Sequence, residues 1–118
     1  MTNQYKMNQT VKEKWLQALR SKEYEQGRGC LKEEDKFCCL GVLTDLYIKE
    51  NNLNWSLEVK DDFCERFAAP NWKVCDWADL KNPNPTVKID KSFFDTLAGM
   101  NDHGYSFEEI ADIIEQQF

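Results

Sequence analysis

The stretch Phe37-Cys38-Cys39-Leu40-Gly41-Val42-Leu43-Thr44-Asp45-Leu46-Tyr47 decides the fold. Cys39, Val42, Leu43, Leu46 and Tyr47 recur at i, i+3, i+4, i+7 and i+8, the spacing of one buried helical stripe. This predicts a helix from about Cys39 to Glu50, ended by Asn51-Asn52. Gly41 inside that helix costs about 1 kcal/mol relative to Ala, which a close backbone approach would explain. Just upstream the pattern changes. Tyr24 to Leu31 breaks helical periodicity with Gly27 and Gly29 and reads as extended. Lys32-Glu33-Glu34-Asp35-Lys36 is a charged turn, and Phe37-Cys38 returns, which predicts a small hairpin.

The same reading extends outward to both termini. Ser106-Phe107-Glu108-Glu109 is a capping box, and Phe107, Ile110, Ala111, Ile114 and Phe118 line one helical face after it. Thr10-Val11-Lys12-Glu13 reads as another capping box, opening a helix to about Lys22 with Val11, Trp15, Ala18 and Leu19 inward. Residues 1–9 are polar and expected to be flexible. A short helix is predicted over Asp61 to Ala68, stopped by Pro70, and another over Asn71 to Leu80. Asn82-Pro83-Asn84-Pro85 is a rigid turn, because each proline forces its predecessor out of the helical region. Thr86 to Ile89 reads as a strand, and Asp90 to Ala98 as a helix with Gly99 at its C′ position. The expected architecture is α+β: one small, mainly helical domain over residues 10–118, with about four to five helices and a short β-hairpin.

Composition narrows the partners. The 118 residues suit one domain, and 42% hydrophobic with 13% aromatic residues excludes a disordered chain. Fifteen Lys and Arg against 21 Asp and Glu give a net charge of −6. Phosphate-neutralising binding needs a basic surface, so direct DNA or RNA binding and membrane association are not expected. An acidic nucleic-acid mimic is one alternative. No apolar run approaches the ~20 residues of a membrane span. Met1 to Lys6 lacks a basic flank leading into an apolar stretch, so a cytoplasmic protein is expected. The five cysteines, Cys30, Cys38, Cys39, Cys64 and Cys75, include no Cys-x-x-Cys pair, and the one histidine is His103. That pattern predicts free thiols, no structural metal and no cofactor.

Three constellations can carry chemistry. Gly27-Arg28-Gly29 sets a planar five-donor guanidinium between residues that let a ligand approach the backbone. Cys38 and Cys39 open a helix, where the dipole favours a thiolate, and His103 with Asn101 or Asp102 would complete a Cys-His-Asn/Asp hydrolase site. Asn101-Asp102 reads as a loop between two helices, placed to put polar groups beside the Cys39 helix. The candidate ligand site is therefore Gly27, Arg28, Gly29, Cys38, Asn101 and Asp102. Its structural rival is an Arg28–Asp102 salt bridge tying hairpin to loop.

These segments together resemble a family of small uncharacterised bacteriophage and prophage proteins. The shared pattern is Gln26-Gly27-x-Gly29, then Phe37-Cys38-Cys39-Leu40-Gly41-Val42-Leu43-x-Asp45-Leu46, then Met100-Asn101-Asp102-x-Gly104-x-Ser106-Phe107-x-Glu109-Ile110-Ala111. The resemblance implies a phage accessory protein acting against host defence in the host cytoplasm. It would sequester a small anionic, nucleotide-like signal or block a host defence protein, without catalysis. For a small-ligand binder, a homo-oligomer with the pocket at a subunit interface is expected. The alternative is the hydrolase built on Cys38 or Cys39 and His103.

Overall fold

A computed structural model of the chain describes residues 6–118. Helix α1 spans Gln9–Arg20 and α2 spans Cys39–Glu50, the second within a residue of its expected bounds. Between them lie β1 (Glu25–Gln26), β2 (Lys32–Glu33) and β3 (Lys36–Phe37). Then follow α3 (Trp72–Ala78), β4 (Thr86–Lys88), β5 (Phe94–Thr96), α4 (Leu97–Asp102) and α5 (Phe107–Gln117). The architecture is α+β in one small domain, with five helices and two small sheets among the described residues.

α2 lies at the centre, touching α1, α3 and α4. Its first half is buried on every side, from Cys39 through Asp45, so the expected single stripe understates its burial. Leu46 and Tyr47 are only half-buried. Gly41 is there because a Cβ would overlap the Leu31 carbonyl oxygen, the close approach the sequence called for. Trp15 of α1 is fully buried, and its indole Nε1–H donates to the Cys39 carbonyl at 3.0 Å. α1 also lies along α5, where Arg20 bridges Asp112 and Glu115.

The start of α1 departs from the expected capping box. Asn8 is the N-cap, its side chain accepting from Val11 N at 3.0 Å. Thr10 sits inside the first turn. Met7 is buried in the core and Asn8 N–H donates to Ala78 O, so residues 7–9 are fixed by packing and hydrogen bonds. These contacts fall within the segment 1–9 that was expected to be flexible, and its first five residues lie outside the described residues.

The hairpin is shorter than expected. β2 and β3 form it antiparallel around Glu34-Asp35, while β1 pairs with β3 in parallel on the other edge, giving the order β1-β3-β2. The segment 61–68 is not helical. Ser56 N–H donates to Phe63 O, Glu65 N–H to Ser56 O, Leu31 N–H to Phe67 O and Lys32 N–H to Glu65 O. Those carbonyls serve strand-like partners, so segment 65–67 lies beside residues 31–32 as an irregular extension of the sheet, with Ser56 paired in turn to Cys64.

The helix expected over 90–98 is replaced by a hairpin and a displaced helix. Asp90 Oδ1 accepts from both Ser92 N and Phe93 N, and Ile89 N donates to Phe93 O, closing a turn that returns the chain as β5. Asp favours a turn as readily as an N-cap, because its side chain satisfies nearby backbone donors in both. Thr96 then caps α4 through Gly99 N. Gly99 is in the first turn of α4, not at a C′ position, and a Cβ there would collide with the Asp95 carboxylate. Gly104, at φ +98°, takes the left-handed position after the helix. The Ser106–Glu109 capping box forms in full.

Candidate functional site

The hairpin, the start of α2 and the end of α4 meet around Asn101. Its side chain is inaccessible to solvent. Oδ1 accepts from Gln26 Nε2 at 2.9 Å and from Cys39 N at 3.2 Å, while Nδ2 donates to Gly27 O at 2.7 Å. One amide thus ties β1 to the first turn of α2. It occupies an orphan N–H of that helix, a need every helix N-terminus has. Asn101, expected in a loop, is a buried helical residue whose amide bonds the Gln26 side chain and the backbone of Gly27 and Cys39.

Asp102 is exposed, and its Oδ1 accepts from Gly29 N at 3.0 Å. Gly27 N donates to Phe37 O at 2.7 Å. Arg28 therefore sits between two glycines that are each pinned by hydrogen bonds. Gly29 has φ +86°, the left-handed region where a side chain would be strained. The Arg28–Asp102 salt bridge does not form. Among the described residues Arg28 has no ion pair or hydrogen bond, and its side chain is exposed. Gly104 lies close enough that a Cβ there would sit 3.8 Å from Arg28 Nη2. The structure therefore brings Gly27, Arg28, Gly29, Asn101 and Asp102 together.

Cys38 is also near this junction but has a structural task. It is the N-cap of α2, its Sγ accepting from Gly41 N at 3.3 Å. Burial pushes its thiol up to about 11, against weaker opposing hydrogen bonds from Gly41 and Leu40 N–H. Burial raises the Cys39 thiol well above its ordinary range too, and Cys39 has no exposed surface. Desolvation of the charged form therefore outweighs the helix dipole at both positions. His103 makes no hydrogen bond to either sulfur. It is exposed, and its Nδ1 is 2.8 Å from Asp95 Oδ2. The hydrolase constellation is not assembled: neither thiol is poised to ionise, and the imidazole serves another partner.

A groove of about 580 Å³ opens beside Arg28. Arg28, Lys32, Glu33, Glu34, Leu57 and Arg66 are among the residues that line it. Lys32 Nζ pairs with Glu65 at 3.4 Å. Arg66 is exposed and, like Arg28, has no ion pair or hydrogen bond among the described residues. Sequence reasoning missed Arg66 because it lies where no periodic pattern forms. The only available signal was the scarcity of arginine, with Arg20, Arg28 and Arg66 the full set.

The described residues contain no group of three or more His, Cys, Asp or Glu side chains able to hold a metal, and no helix long and apolar enough to cross a membrane. All five cysteines are free thiols. No curated protein and no solved structure matches the chain. A family model described as a domain of unknown function, DUF8296, matches residues 7–118, nearly the whole chain and every residue of the site. The chain belongs to the DUF8296 family.

Proposed function

We propose that this chain is a non-enzymatic binding protein that takes a small anionic, nucleotide-like ligand at the Gly27-Arg28-Gly29 segment. One observation carries the reading: in an acidic chain, a guanidinium with no partner among the described residues stands on a segment pinned on both sides. A fixed backbone lowers the entropy cost of presenting the side chain, and the planar fork suits a phosphate or carboxylate. Asp102 contributes by holding Gly29, and Asn101 by holding Gly27. Cys38 contributes only by capping α2. The sequence pattern adds a biological setting to the proposal, that of a phage accessory protein sequestering a signal of host defence in the host cytoplasm.

Calorimetric titration with linear and cyclic nucleotides, with melting measured alongside, tests it. Arg28→Lys keeps the charge and loses the bidentate fork, so affinity should fall about tenfold or more while the melting temperature stays fixed. If no nucleotide binds and Arg28→Lys only lowers the melting temperature, the reading is wrong. Blocking of a host defence protein then leads, supported by the large exposed aromatics Trp72, Phe93 and Phe94.

A further inference from the structure

Two of the three arginines line one groove, and both lack a partner among the described residues. Arg66 is held as firmly as Arg28. Its two chain neighbours are the residues whose carbonyls accept from the β2 edge, Glu65 O from Lys32 N at 3.1 Å and Phe67 O from Leu31 N at 2.8 Å. Each arginine is thus flanked on both sides by residues with fixed backbone. A free cation on a mobile loop is ordinary, whereas two on fixed backbone facing one groove supply a divided positive field for one ligand group.

The same groove carries two carboxylates with no ion pair or hydrogen bond among the described residues, those of Glu33 and Glu34. Glu34 sits at φ +55°, a left-handed conformation that a non-glycine residue adopts at a cost. Leu57, in the same lining, is 62% exposed and offers an apolar surface. A ligand that is anionic throughout would be repelled by Glu33 and Glu34. One that combines a phosphate, a flat apolar ring and hydrogen-bond donors would meet a complementary group for each.

Resting on the anion-binding reading above, we infer that Arg66 is a second ligand-contacting residue and that the groove selects nucleotides whose base carries an exocyclic amine. The phosphate lies between Arg28 and Arg66, the ring covers Leu57, and the amine donates to the Glu33–Glu34 rim. Adenine and cytosine present that donor where hypoxanthine and uracil present an oxygen, so a carboxylate rim distinguishes them.

The test is calorimetric titration of the full chain with two pairs of ligands, adenosine against inosine 5′-monophosphate and cytidine against uridine 5′-monophosphate. The amine-bearing member of each pair should bind about tenfold more tightly. Arg66→Gln should weaken all four by a similar factor. The double variant Glu33→Gln/Glu34→Gln should remove the difference within each pair, even though it makes the groove more positive and so strengthens every anion in general. Circular dichroism melting of each variant separates lost binding from lost fold; for a variant that does not fold, the single variants Glu33→Gln and Glu34→Gln, or Arg66→Ala, take its place. If the four ligands bind equally, or if Arg28→Lys loses affinity while Arg66→Gln does not, this inference falls and the anion-binding reading stands. If none of the four binds and the wider nucleotide titration also fails, both fall.

Discussion

At the scale of single residues, the most informative side chain is Asn101. Its removal as Asn101→Ala would leave the buried Cys39 N–H and the part-buried Gly27 carbonyl without a partner. Each such orphan costs roughly 1–3 kcal/mol, so chemical denaturation should show a loss of about 2 kcal/mol or more. Asp102→Ala, exposed and making one bond to Gly29, should cost under about 1 kcal/mol. Equal losses at the two positions would sink the division between a structural Asn101 and a positioning Asp102. The sequence pattern marked both residues as one unit, because Asn and Asp share turn chemistry. What separates them is burial, which depends on how α4 meets α2 and leaves no local trace.

A second residue-scale cluster lies beyond the expected site. Asp45 is buried and accepts from Tyr24 Oη at 2.6 Å, from Trp55 Nε1 at 2.9 Å, and pairs with Lys49 at 3.0 Å. Burial and the hydrogen bond to Asp45 raise the Tyr24 phenol to about 12. A folded-state value above the unfolded one means stability is complete below about 10, the unfolded tyrosine value. That stability is lost as pH climbs from there through about 12. Ultraviolet titration should find Tyr24 ionising about two units late, and Asp45→Asn should bring it back toward the ordinary range. Four tyrosines titrating together with the fold intact would contradict the cluster. Asp45 stood in the decisive stretch of sequence, yet its partners Tyr24 and Trp55 are distant in the chain, so periodicity could not pair them.

At the scale of elements, the strongly periodic helices were legible and the short pairings were not. α2 and α5 were read within a residue or two because an apolar stripe and a cap agree on the same boundaries. Asp90 to Asp102 was misread because its local signals fit two structures. Asp90 can cap a helix or close a turn, and Gly99 can end a helix or admit a neighbour. The choice was made by pairing of β5 with β4, a contact outside the window. Gly99→Ala separates the two meanings. At a C′ position with positive φ the cost would be backbone strain. Here it is overlap with Asp95, so Gly99→Ala should destabilise by roughly 1–3 kcal/mol and Asp95→Ala should relieve much of that loss. Thermal melts of the two single variants and the double variant measure the coupling. Additive losses would show that Asp95 is not the obstacle.

At the scale of the whole molecule, the core joins all five helices, and Cys38, Cys39, Cys64 and Cys75 lie buried in the body. Cys30 alone is half-exposed. Composition does not rank the thiols, because ranking depends on where β2 and the segment 56–67 close over the chain. The structure ranks them by the opening each requires. Cys30 should react with a thiol reagent in the native protein, slowed because burial, aided by Glu33, raises its ionisation point. Cys64 rests under hydrogen bonds between irregular segments, Ser56 N–H to Phe63 O and Glu65 N–H to Ser56 O, which local opening can break. Cys39 contacts α1 through the Trp15 bond and α4 through Asn101, so exposing it separates three helices at once. Its labelling rate should therefore follow global unfolding and fall with every added increment of stability. Mass-resolved labelling across a denaturant series gives the order Cys30, then Cys64, then Cys39. If Cys39 reacts before Cys64 in the folded protein, α2 is not the centre about which this molecule is built.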